Sequence, residues 1–227
     1  MSSELYLCGT RHIDFDGPNR LMNILNWIKP DIITTEYTER GLQEVWEEHL
    51  TVAQSTEVSL KAALQQNMPS DILTKINIDS LVKFYLTRAF EGWVPLEYSS
   101  KKETRVIGIE DPQLISFVKY EGGSSGSVQN MATEQILALL ALSPSQIQKK
   151  VDEDYVRQGD IDVKMETKLI ERNFSMASKI ADLLMEKQVR LLHISGISHI
   201  YDNHPNLYDI LSYFKPTRIK LIEGDKV

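Results

Sequence analysis

The sequence predicts an α/β fold: a mainly parallel central sheet of four to five strands, surrounding helices, and a helical insertion near the strands' C-terminal ends. Two observations carry this prediction. Residues 5–35 run strand, helix, strand, the βαβ signature that makes the two strands parallel neighbours of one sheet. Two apolar strand-like runs far apart in the chain then end alike, each in a glycine followed three residues later by a histidine: Gly9…His12 and Gly196…His199. Glycine tolerates a sharp turn with φ > 0, so both runs are expected to close on a glycine turn that delivers an imidazole past the strand end.

Taken in order, Leu5–Cys8 is the first strand. Asp16 and Pro18 suit a helix start, and Leu21, Ile24, Leu25 and Ile28 keep helical spacing up to Lys29-Pro30, where proline ends the helix. Asp31–Thr35 is a second strand, ending at Glu36. From about residue 38 to 98 the pattern is helical, with Leu42, Val45, Trp46 and Leu50 on one face and Leu81, Val82, Phe84, Tyr85 and Ala89 on another; Asp79 is a candidate cap. Such a length exceeds what a crossover needs and reads as an insertion lying over the open edge or mouth of the sheet. Arg105–Ile109 is a third strand, ending in Glu110-Asp111-Pro112, and the Gly/Ser run at 122–127 is a loop by composition. Helices follow at about 129–142, 144–156 and 163–187, and the last carries the apolar stripe Met165, Leu169, Met176, Ile180, Leu183. Arg172 and Asn173 fall inside that stripe, where polar groups need partners; Glu36 and Asp111 are the expected ones for Arg172. Arg190–Ser195 is a fourth strand, 205–213 a short helix and Arg218–Ile222 a last strand, so the chain is read as one α/β domain over residues 1–227.

Composition narrows the function classes. A net charge of −7 disfavours a nucleic-acid backbone as main partner. The single cysteine, Cys8, excludes an intrachain disulfide and fits a reducing compartment. No basic-then-apolar leader opens the sequence, and its longest apolar run, Ile136–Leu142, is far shorter than a membrane span. These features read as a soluble, cytoplasmic protein; they say nothing of oligomeric state.

The chemistry-bearing residues gather at strand ends: His12, Glu36, Glu110 or Asp111, and His199. In an open α/β sheet, ligands bind outside the strands' carboxyl ends. Two imidazoles with one or two carboxylates suit a divalent cation that keeps a position for water, and the mixed N/O set favours Zn, Mn, Co or Fe. A metal-free alternative pairs one histidine with one carboxylate for acid–base work. His49, beside Glu47 and Glu48, reads as solvated, His193 as facing one side of the sheet, and His204 as a competing loop ligand.

Leu7, Gly9-Thr10-Arg11-His12, then Lys29-Pro30-Asp31-Ile32-Ile33 leading to Glu36 and Arg40, resemble the TraB/PrgY/GumN and TIKI family. So do Glu171-Arg172-Asn173, Met176-Ala177 and Gly196-Ile197-Ser198-His199. The resemblance covers residues 4–42 and 165–201; Tyr37, after the glutamate, departs from the family's usual Asp or Leu-type residue. It implies a fold related to erythromycin esterase and the haem-binding protein ChaN, and metal-dependent, peptidase-like activity. Carried over, it puts His12, Glu36 and His199 at the site, with Arg172 and Asn173 in support and Gly9, Thr10, Arg40 and Gly196 as motif positions. The leading expectation is a metal-dependent hydrolase of a peptide or amide bond. There Glu36 or Glu171 polarises water and Arg172 stabilises developing charge, with Asp111 a further supporting residue. The alternative is a non-catalytic small-molecule or haem-binding protein on the same fold.

Overall fold

The computed structural model of the chain describes residues 3–114, 136–157, 167–202 and 205–227. The Gly/Ser run at 122–127, His204, Met165 and the start of the helix expected at 129 lie outside the described residues. Five parallel strands, β1 (Glu4–Thr10), β2 (Ile32–Thr35), β3 (Arg105–Gly108), β4 (Arg190–Gly196) and β5 (Thr217–Lys220), form one sheet in the order β3-β2-β4-β1-β5. β4 lies in the middle and is buried along almost its whole length. The β2 connection leaves towards β3 and the β4 connection towards β5, so the chain diverges between these two neighbours. A crevice opens at such a boundary, beyond the strands' C-terminal ends.

The helices cover both faces. On one side α1 (Gly17–Ile28), α6 (Phe90–Ser99) and α7 (Pro144–Arg157) bury Leu21, Ile24, Phe90, Trp93, Ile147 and Tyr155 against Cys8, Ile33, Leu192 and Ile194. Between α1 and α6 the chain folds α2 (Glu39–Ala53), α3 (Glu57–Asn67), α4 (Ser70–Leu73) and α5 (Ile78–Thr87). On the other side α8 (Thr167–Glu186) and α9 (Leu207–Ile210) bury Met176, Ile180, Leu184 and Leu207 against Leu5, Leu7, Ile32 and Leu191. The alternation Leu7/Cys8 and Leu191/Leu192 is the strand period of two sending neighbours to opposite layers. No described helix is long and apolar enough to cross a membrane.

The expected fold is present, with local corrections. Asp16 occupies the N-cap of α1 but makes no side-chain cap bond; Pro18 sits in the first turn, and Lys29 closes the helix in the left-handed region before Pro30. Asn77, not Asp79, caps α5, accepting from the backbone of Asp79 and Ser80. Leu42 is buried in α2, whereas Leu50 is exposed. The last strand ends at Lys220, and residues 221–225 turn into a 3-10 helix. His49 is half-buried rather than solvated: its ring stacks on Trp93 with centroids 4.0 Å apart.

The helical insertion splits in two. Helix α3 buries no residue, while α6 plants Phe90 and Trp93 in the core and sets its first turn beside the end of β1.

Candidate functional site

Glu36 follows β2 directly and receives three partners. Gly196 N–H, at the end of β4, donates to Oε2 at 2.9 Å. His199 Nε2 lies 3.0 Å from Oε1, and the Arg172 guanidinium from α8 binds the same oxygen. Burial alone would raise the carboxyl pKa; the His199 hydrogen bond, the charges of His199 and Arg172 and the Gly196 N–H outweigh it and hold Glu36 well below the usual range. Glu36 is therefore a fixed anion and a weak base.

Arg172 bridges two strand ends. Its Nε lies 3.2 Å from both oxygens of Glu110, which follows β3 and is 2% exposed, and its Nη2 reaches Glu110 and Glu36. The Glu36 pairing is as expected; the second partner is Glu110 rather than Asp111. Asp111 instead spends its carboxylate locally, accepting from Gln113 N–H at 2.9 Å in the turn after Pro112. Glu171 precedes Arg172 on α8, about 100° round the helix, and lies exposed on the flank. Arg40 is 87% exposed and pairs with Glu44 on its own helix. Neither stands at the site.

The histidines come in from opposite layers. On the α8 side His199 is 3% exposed, on the 3-10 turn Ile197–His199 that continues β4. Asn173 presents its amide oxygen to His199 Nδ1 at 2.6 Å and donates its own N–H to Pro205 O, which fixes the amide orientation and makes Nδ1 the donor. Nε2 is thereby turned to Glu36. On the α6 side His12 has Nδ1 2.9 Å from Glu91 Oε1. Thr10 Oγ1 lies 3.0 Å from the same oxygen and 3.2 Å from Ser195 O. The Glu91 charge and hydrogen bond raise the His12 pKa to about 9. The His12 side chain is 69% exposed, so solvent screens that pair.

The two glycines do not turn. Gly9 lies inside β1, and Gly196 has φ −53° and ψ 138°, open to any residue. What each supplies is space. A Cβ on Gly9 would come 2.9 Å from Ile197 Cγ1, so β1 and the turn after β4 pack in contact. A Cβ on Gly196 would sit 3.4 Å from His12 Nε2 and 3.7 Å from Glu36 Oε2, in the gap that both face. The motif thus brings His12 to the space beside Glu36 and His199 into contact with it.

Glu91 escaped the sequence reading. Its signal was a lone carboxylate inside the apolar run Phe90-Glu91-Gly92-Trp93-Val94; in the structure it is 3% exposed. His193 lies on the α8 face of β4, fully buried, with Nδ1 3.0 Å from Thr34 Oγ1. Burial pushes its pKa down to about 3, so it is a neutral ring beneath the site.

The donor set fits a divalent cation in kind: two imidazoles, each held through Nδ1 by a buried acceptor, with Nε2 turned towards one anionic carboxylate. Among the described residues, no three His, Cys, Asp or Glu side chains already converge at ligand spacing. No protein-family model matches the chain, and no curated protein or solved structure is significantly similar to it.

Proposed function

We propose that the chain is a metal-dependent hydrolase acting on a peptide or amide bond, with His12, Glu36 and His199 as the cation's ligands. The observation that carries this reading is the shared orientation of the histidines. Each spends Nδ1 on a buried partner; His199 Nε2 meets Glu36, and His12 Nε2 faces the space beside Gly196 that Glu36 Oε2 also borders. The resemblance of both Gly-x-x-His motifs to the TraB/PrgY/GumN and TIKI family supports the same residues.

When bound, a Zn, Mn, Co or Fe ion would lower the pKa of a ligand water and polarise the scissile carbonyl. Glu36 offers a permanent anion whose position is fixed by Gly196 N–H and Arg172. To hold the ion, His199 Nε2 would give up its contact with Glu36 and its proton, since ligation needs a lone pair. Arg172 has its charge balanced by Glu36 and Glu110; it therefore positions Glu36 rather than meeting the substrate. The exposed His12 stands at the solvent side of the site.

The haem-binding reading finds less support, because His199 is 3% exposed and offers no open face to a macrocycle. The test is metal content and calorimetric binding of Zn²⁺ and Mn²⁺ to the purified protein, followed by a peptide, amide and ester panel with and without each ion. Binding to wild type with loss in His12→Ala and His199→Ala supports the proposal. Absence of binding, or turnover indifferent to chelation, overturns it.

A further inference from the structure

We propose that Glu91, supplied by the helical insertion, is a positioning residue of the site: it fixes the tautomer of His12, holding the proton on Nδ1 and leaving the Nε2 lone pair for the gap beside Glu36. The inference rests on the reading of His12 as a ligand and extends it to a residue outside both Gly-x-x-His motifs.

The placement of Glu91 is over-determined by its neighbours. Before it, the Phe90 ring lies so close to Gly17 on α1 that a Cβ there would approach its Cζ to 2.6 Å. After it, Gly92 packs on α2, where an added Cβ would come 3.0 Å from Val45 Cγ1 and 3.4 Å from the Tyr37 ring. Ala89, with φ 55°, starts α6 from the left-handed region and aims its first turn at the end of β1. Glu91 stands in that first turn, where the helix dipole favours a negative charge.

Its oxygens then divide the work. Oε1 meets both His12 Nδ1 and the Thr10 hydroxyl. A carboxylate only accepts, so His12 Nδ1 must be the donor. Oε2 is buried and has no hydrogen-bond partner among the described residues. Leaving a charged oxygen buried and unpaired is costly, so the carboxylate is kept for what Oε1 holds. His199 has the same arrangement with a neutral acceptor, Asn173. Acceptors on the far nitrogen are how proteins orient metal-binding imidazoles, and their loss typically weakens metal affinity ~10–100-fold. A free histidine side chain favours the opposite tautomer, with the proton on Nε2, so the effect of Glu91 is measurable.

The experiment assigns the His12 ring nitrogens by two-bond ¹H–¹⁵N NMR at a pH where the ring is neutral. Wild type is compared with Glu91→Met, which removes both oxygens at near-constant volume, and Glu91→Gln, which keeps a neutral acceptor. Zn²⁺ affinity is measured in parallel by calorimetry. The expected result is a proton on Nδ1 in wild type and Glu91→Gln, and on Nε2 in Glu91→Met, whose Zn²⁺ affinity falls ~10–100-fold. A wild-type proton on Nε2, or an unchanged tautomer in Glu91→Met, overturns the assignment; the wild-type spectrum is decisive alone if Glu91→Met does not fold. Should wild type bind no Zn²⁺, the metal reading fails while the ring-nitrogen signature still decides the role of Glu91.

Discussion

The two sides of Glu36 hold their histidines in opposite ways. On the α8 side His199 is 3% exposed and tied to a neutral amide, and beside it Arg172 spans two carboxylates. On the α6 side the His12 ring is 69% exposed and tied to a buried carboxylate. Charge is balanced inside the protein on the first side and partly by solvent on the second. Loss of a partner should therefore cost more on the α8 side, and the α6 side is the one open to solvent.

The largest effect that can break this comparison is at Arg172. Removing it takes the ion-pair partner from the fully buried Glu110 side chain and leaves Glu36 with His199 and the Gly196 N–H, and breaking a buried pair from one side costs ~3–5 kcal/mol. Arg172→Met should lower the urea midpoint accordingly, and adding Glu110→Gln should recover part of the loss. A cost below ~1 kcal/mol would mean that the α8 side is not the stabilising one. Next comes Asn173→Leu, which strips the acceptor from His199 Nδ1 and the donor from Pro205 O, for ~1–3 kcal/mol.

The two sides also own opposite limbs of the pH–stability curve. The Glu36 pKa is depressed from its ordinary 4.5, so its contribution is present above that value and is lost as pH falls below it. The His12 pKa is raised from 6.5 to about 9, so its contribution is complete below 6.5 and is lost as pH rises through 9. Exposure of the ring limits that limb to ~1 kcal/mol or less. Denaturation of His12→Ala across this range should show the alkaline limb flattened and the acid limb intact. A flattened acid limb would reverse the assignment. Smallest in stability is Gly196→Ala. Its backbone angles suit alanine and the new Cβ meets only ordinary contacts, so stability should stay within ~0.5 kcal/mol while Zn²⁺ binding falls, because the methyl enters the gap between His12 and Glu36. Unchanged Zn²⁺ affinity would show that the gap is not where the cation sits.

Much of this was legible in the sequence. The short apolar runs and the βαβ unit disclosed the parallel sheet, and the polar pair Arg172-Asn173 on an apolar helix stripe disclosed that strand ends must supply partners. Three things were not legible. The glycine after a strand suggested a turn, whereas at Gly9 and Gly196 the need is for a missing Cβ, which depends on neighbours nearly 190 residues away. Asp111 and Glu110 are adjacent, and only the local turn that occupies Asp111 leaves Glu110 for Arg172. Glu91 meets His12 across 79 positions, a pairing that no periodicity encodes, although an acid amid Phe90, Trp93 and Val94 marked it as buried.

The central claim is that His12 and His199 serve one cation beside Glu36, and calorimetric titration of Zn²⁺ into wild type, His12→Ala, His199→Ala and the double variant tests it most directly. One site per chain is expected in wild type, and in each single variant a loss larger than the ~10–100-fold of an outer-shell change. The double variant should then be no weaker than the sum of two independent losses predicts. Equal affinity in wild type and the double variant would contradict it.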